Sequence, residues 1–180
     1  MVFLDESGFL MAPWLRRSWS PRGQTPLLMQ RARSHEKVSV IAAICVNPPR
    51  DRVHLLFRLH PHVNITAHRV AGFLGRLHRH LGAPIVLVWD RLLAHRARRV
   101  GAFLRERPGM HTFFLPPYAP ELNPVEYLWS HLKTNPLANL APPEADALAA
   151  AARRHSRSLQ HKPRLLRSFL EHSPLLLRLK

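Results

Sequence analysis

The 180 residues carry 27 Lys+Arg against 11 Asp+Glu, a formal net charge of +16, with 46% hydrophobic residues. That content suits one globular domain and excludes a disordered chain. The cationic excess, spread along the sequence, suits a polyanion: nucleic acid first, an anionic membrane surface or an RNA scaffold as rival attractors.

A single cysteine, Cys45, excludes a disulfide framework and a Cys-based zinc site, and its place in the apolar run from Val38 to Val46 reads as a buried, inert thiol. The N-terminal Met-Val-Phe-Leu-Asp-Glu has no basic n-region, and no apolar run approaches the roughly eighteen residues of a bilayer span. A soluble, cytoplasmic, nucleoid-associated chain with no membrane partner is expected.

In chain order, Val2-Phe-Leu-Asp5 reads as a short strand ending in an acid, followed by a polar, Pro-rich loop or irregular hairpin through Trp14, Trp19, Pro21, Gly23 and Pro26. Val38 to Val46 and Val53 to Leu59 are strands, and the Pro-Pro turn from Asn47 to Asp51 cannot continue their ladder. From Thr66 onward, Val70, Phe73, Leu74, Leu77 and Leu81 recur at helical spacing, with Thr66 as the cap.

Gly82-Ala-Pro84 stops that helix, and Ile85 to Trp89 is a continuous apolar strand of the doubly buried type. Ala94 to Arg107 returns to helical periodicity, Thr112 to Leu115 is one more strand, and Pro116 to Pro120 forbids regular structure. Asn123 to Lys133 then begins a helix with an Asn cap and Pro in the first turn. The tail from Pro142 to Lys180, broken at Pro163 and Pro174, reads as two surface helices and a basic tail. These elements make an α/β fold with a mixed sheet of about five strands flanked by helices.

Acids are scarce, so their positions are informative. Asp5 and Asp90 each close an apolar strand, and parallel neighbouring strands would bring them together at the sheet edge where α/β folds place ligands. Two carboxylates so placed repel unless a cation or proton lies between them, and Mg²⁺ or Mn²⁺ suits all-oxygen donors. Glu126, in the first turn of its helix, can supply a third ligand, or it can merely complement the helix dipole. Glu6 is adjacent to Asp5, but consecutive strand residues face opposite sides, so only one of the two can reach the site.

Three segments carry a family resemblance: Asp5-Glu-Ser-Gly-Phe9, Trp89-Asp90-Arg-Leu-Leu-Ala-His95, and Pro117-Tyr-Ala-Pro-Glu-Leu-Asn-Pro-Val-Glu-Tyr-Leu-Trp129. In order, they resemble the signatures of mariner-like bacterial insertion-sequence transposases of the DDE superfamily. The third is a near-complete copy of the family's Tyr-Ser-Pro-x-Leu-Asn-Pro-x-Glu-x-x-Trp pattern. The 35 residues between Asp90 and Glu126 suit the family spacing, and Trp19 to Pro26 is similar to the family's Trp-x-x-x-Gly-x-x-Pro hairpin.

The resemblance implies a ribonuclease H-like catalytic domain over residues 1–135, with residues 136–180 as a basic helical extension of it. It implies that Asp5, Asp90 and Glu126 are catalytic and hold two divalent ions, Mg²⁺ or Mn²⁺, which activate a water or a DNA 3′-hydroxyl and stabilise the leaving oxygen. DNA is the implied partner, with His95, Arg91 and Lys133 as candidates for touching it. Trp129 and Leu128 are expected to pack in the core rather than stack on bases.

The family commonly carries Asn where Arg91 stands, which puts a cation beside the metals. No helix-turn-helix module precedes Asp5 in these residues, so end recognition is expected from an upstream half, encoded separately or by frameshift, with a homodimer in the synaptic complex. The competing reading is an inactive basic transposase remnant that only binds nucleic acid. A ribonuclease H-like repair nuclease ranks last, because it leaves the Asn123 to Glu126 context unexplained.

Overall fold

The computed structural model describes residues 1–12, 14–25, 27, 36–175 and 179. Five strands form one mixed sheet: β1 (Val2–Leu10), β2 (Lys37–Val46), β3 (Val53–Pro61), β4 (Ile85–Trp89) and β5 (Met110–Phe114), in the order β3-β2-β1-β4-β5. β1, β2 and β3 run antiparallel, whereas β4 joins β1, and β5 joins β4, in parallel. β1 is therefore the central strand where the meander meets the parallel half.

Helices cover both faces. α1 (Ala67–Leu81) and α2 (Arg98–Arg105) lie on one, with Leu74 and Val100 packed against Val2, Leu4, Ile41, Leu87 and Trp89. α3 (Pro124–Thr134), α4 (Ala145–Gln160) and α5 (Pro163–His172) lie on the other, with Leu128, Ala152 and Leu170 against Phe3, Val40, Ala42 and Ile44. β2 is buried along nine successive residues because helices cover it on both sides. Its Cys45 thiol is buried and pushed up to about 12 by that burial, an inert group as its apolar setting suggests.

Three expectations about these elements are corrected. β1 does not end at Asp5 but runs to Leu10, paired with β2 as far as Lys37, and Phe9 returns to the core beside Trp129. The polar Asp-Glu-Ser-Gly stretch resembles a loop because its side chains serve a site rather than a core. α2 starts at Arg98 rather than Ala94, since the preceding turn is held by Asp90. Thr66 occupies the cap position of α1 but makes no side-chain cap bond.

The C-terminal helices are likewise not surface additions. Leu148, Ala152, Leu166 and Leu170 are 0–2% exposed and share one core with the sheet. Pro163 marks the break between the two helices as expected, and it opens α5 at a first-turn position, where its missing N–H costs nothing. Between β1 and β2, the described residues 14–25 form no regular element, and Pro26 lies outside the described residues, as does most of the basic tail. The start of this connection is strapped down: Arg16 and Asn139 exchange two hydrogen bonds of 2.8 Å. Among the described residues no helix is long and apolar enough to cross a membrane.

Candidate active site

Asp5 lies where the sheet opens. β1 pairs with β4 only at Val2↔Leu87 and Phe3↔Val88, after which β4 ends at Trp89 and β1 continues alone on that side. The next residue on β1's α3-facing side is Asp5, and the residue that follows β4 is Asp90. Both line a cleft of about 350 Å³ with Glu126, Arg91, Asn123 and the Pro116–Pro120 turn. Parallel pairing thus brings the two strand acids to one cleft, and α3 adds Glu126.

Each acid has its own anchor. Asp5 is 6% exposed, and its Oδ2 accepts the indole N–H of Trp129 at 2.8 Å. Asp90 accepts at Oδ1 from the backbone N–H of Leu92 at 3.0 Å and from His95 Nδ1 at 2.8 Å. Glu126 stands in the first turn of α3, whose position is set by Asn123. The Asn123 side chain caps Val125 N through its Oδ1, and its Nδ2 donates to the Leu4 carbonyl at 3.2 Å, beside Asp5. One asparagine fixes the third acid relative to the first.

The electrostatics are those of an anion-crowded cleft. Burial, with the charges of Glu126, Glu6 and Asp90 adding to it, pushes the Asp5 carboxyl up to about 8, against the opposing hydrogen bond from Trp129. Glu126 is also raised, first by burial and then by Asp90, while Lys133 opposes. Asp90 is lowered, chiefly by its hydrogen bond from His95.

His95 departs most from expectation. It is 3% exposed and cannot reach a DNA phosphate. Its Nε2 donates to Glu6 at 2.9 and 3.0 Å, its Nδ1 to Asp90, and its ring stacks on Trp89 with centroids 4.3 Å apart. Burial acts to lower its pKa, but the hydrogen bonds to Asp90 and Glu6 prevail and push it up to about 10. With both nitrogens donating, the ring is an imidazolium bridging two acids. Glu6, set aside in the sequence because it faces away from Asp5, thereby connects to the site from the other face of the sheet. Only an acidic neighbour of the first strand acid paired with a histidine five residues past the second could have signalled it.

Arg91 does line the cleft, with its guanidinium 5.8 Å from the Phe114 ring centroid. Lys133 sits about two turns beyond Glu126 on α3, where its charge is felt by that acid. Trp129 and Leu128 are buried as core residues, 2% and 1% exposed, but Trp129 also serves Asp5 through its N–H.

Among the described residues no three His, Cys, Asp or Glu side chains converge tightly enough to hold one ion between them. The donor set nevertheless fits a hard divalent cation. It is all oxygen, Asp5 keeps Oδ1 and Asp90 keeps Oδ2 outside the anchoring hydrogen bonds, and the proton affinity of Asp5 is that of a carboxylate lacking a counter-ion.

Such a fold, a mixed five-stranded sheet with β1 at its centre and helices on both faces, is ribonuclease H-like. The chain belongs to the DDE superfamily endonuclease family, whose model matches residues 1–149. No curated protein matches it. Among solved structures it is similar to the Mos1 mariner paired end complex with Mn, at TM-score 0.67 and 19% identity, over 95% of this chain and 52% of that one. It is also similar to the catalytic domain of Mos1 mariner transposase, at TM-score 0.64 and 16% identity, over 95% of this chain and 77% of that one. In the Mos1 strand transfer complex the values are 0.60 and 17%, over 98% and 55%. The chain thus spans about half the length of the Mos1 chain in the paired end complex.

Proposed function

We propose that this chain is the catalytic domain of an insertion-sequence transposase that cuts and joins DNA strands, with Asp5, Asp90 and Glu126 as catalytic ligands of two Mg²⁺ or Mn²⁺ ions. The observation that carries the reading is the meeting of these three acids in one cleft at the opening between β1 and β4. Further support comes from the family match, from Mos1 structures determined with Mn and with Mg, and from the +16 charge, which suits a phosphate backbone.

When bound, ions held by Asp5, Asp90 and Glu126 would supply Lewis acidity to the attacking and leaving oxygens of a phosphodiester. In the cutting step a water oxygen forms the new bond to phosphorus as the bond to the 3′-oxygen breaks, and that oxygen leaves with a proton. In the joining step the freed 3′-hydroxyl attacks a target phosphodiester in the same way. The chain's residues set the geometry: Trp129 holds one oxygen of Asp5, His95 and Leu92 hold one oxygen of Asp90, and Asn123 sets the height of Glu126. End recognition is assigned to a helix-turn-helix half outside these residues, and synapsis to a homodimer.

A second reading, an inactive remnant that only binds nucleic acid, is favoured by Arg91 in the cleft. Plasmid nicking with Mg²⁺ or Mn²⁺ separates the two, measured beside an EDTA control, Asp90→Asn and Arg91→Asn. The expected result is metal-dependent nicking, lost in Asp90→Asn while salt-sensitive DNA binding persists. Equal cleavage by Asp90→Asn would remove the ligand assignment. Nicking that appears only in Arg91→Asn would favour the remnant.

A further inference from the structure

On the α1 side of the sheet, away from the acids, the edge strand β3 and helix α1 enclose a groove of about 240 Å³, lined by Arg58, Arg76, His80, Phe57, Phe73 and Gln160 among others. Arg69 lies one to two turns before Arg76 on the same helix, and its Nη1 is 3.3 Å from Nδ1 of His60. His60 is 7% exposed, and its Nε2 has no partner. Neither β3 nor α1 contains an acidic residue. None of the ion pairs among the described residues engages Arg58, Arg69 or Arg76.

Like charges gathered around a partly buried groove carry a cost that folding alone does not require. Arg58 is lowered by burial and then by Arg76 and Arg69, and His60 by burial and then by Arg58, Arg69 and Arg76. An anion in the groove removes that cost. Guanidinium forks suit the oxygens of phosphate better than a point cation does.

We propose that this groove binds backbone phosphates of duplex DNA at a second site, with Arg58 and Arg76 as the contacting residues and Arg69, beside His60, adding its charge. The inference rests on the DNA reading of the metal cleft, and several guanidiniums with no acidic residue on β3 or α1 favour that polyanion over a free anion. Arg58 pairs with Ile41, which pairs with Glu6, so the groove sits level with Asp5 and Glu6 but two strands away. The groove and the acids open on opposite faces of the sheet, so the duplex held here occupies a site separate from that of the acids. The groove supplies hold and orientation; it carries no base readout.

The test is the salt dependence of binding to a duplex of random sequence, with EDTA present so that the metal cleft contributes no chemistry. The full chain is compared with Arg76→Gln, with Arg58→Gln/Arg76→Gln, and with Arg153→Gln/Arg154→Gln, an equal loss of charge on the exposed face of α4. Each lost phosphate contact lowers the slope of log K against log salt by about 0.9. The expected loss is about one from Arg76→Gln, about two from the groove pair, and clearly less from the α4 pair. Because Arg76 is exposed, its single variant reads the site even if the double variant misfolds.

Equal slopes for the groove and α4 variants would overturn the proposal, leaving only diffuse charge. A groove variant that loses binding to phosphatidylserine vesicles but not to DNA would overturn it in favour of a membrane. Inorganic phosphate that protects the wild type thermally, with duplex binding unchanged in Arg76→Gln, would overturn it in favour of a free anion. Failure of the wild type to bind duplex at all would instead overturn the underlying DNA reading.

Discussion

Trp129 donates its indole N–H to Oδ2 of Asp5 at 2.8 Å, joining the helix that carries Glu126 to the central strand. The bond leaves one carboxylate oxygen available and sets the distance between the elements that bear two of the three acids. Trp129→Phe retains most of the packing and removes the donor. Metal-dependent nicking and Mn²⁺ affinity are each expected to fall about 10–100-fold, the range seen when a group supporting a metal ligand is lost, while the thermal midpoint changes little. Unchanged Mn²⁺ affinity by titration calorimetry would reduce Trp129 to a packing residue.

His95 and Glu6 act on the other strand acid. His95→Asn removes the bridge to Glu6 and frees Asp90 to rotate, and Glu6→Gln removes the carboxylate that opposes the imidazolium. Both variants are expected to weaken Mn²⁺ binding about 10–100-fold, with DNA binding in EDTA intact because His95 is buried. Loss of DNA binding in a folded His95→Asn protein would contradict the positioning role.

The buried acid and the bridged histidine set the pH dependence of the metal-free protein. Asp5 titrates at about 8 when folded against about 3.9 unfolded. Between those values the native state holds a proton that the unfolded chain has released, so rising pH lowers stability across that window. His95, at about 10 when folded against about 6.5 unfolded, contributes stability that is fully present below the unfolded value and is lost as pH rises toward 10. Asp90, lowered in the fold, acts at the other end: its contribution is lost as pH falls through its folded value. The thermal midpoint of the metal-free protein should therefore decline from pH 5 to pH 9. Asp5→Asn should flatten the part of that decline below pH 8, and millimolar Mg²⁺ should stabilise the wild type more at pH 8 than at pH 5. A wild-type profile identical to that of Asp5→Asn would remove Asp5 from this account.

The C-terminal helices are part of the core that supports the site. Leu170 is fully buried on α5 within the cluster that includes Val40, Ala42 and Trp129. Leu170→Ala is expected to cost about 2–5 kcal/mol, with a fall in thermal midpoint of roughly 2–4 °C for each kcal/mol. A loss below about 1 kcal/mol in denaturant titration would show that α5 is dispensable to the fold.

The sequence by itself determined the elements whose signals are local. β2, β3 and β4 follow from apolar runs bounded by Pro or Gly, α1 from its three- and four-residue periodicity, and α3 from Asn123 and Pro124, the cap and first-turn residue that the structure retains. The acids stood out because carboxylates are rare in this chain, and the spacing of Asp90 and Glu126 could be read directly. Only the tertiary structure decided what depends on strand order and on which face a side chain occupies. β1 extends through Asp5 because β2 pairs with it to Leu10. α4 and α5 are buried because they cover the sheet face that carries Phe3 and Ala42. Trp129 meets Asp5, and His95 joins Glu6 to Asp90, only after a parallel crossover has placed remote segments side by side. Local sequence encodes propensity and period. Contacts between residues some ninety or more positions apart are set by the packing of the sheet.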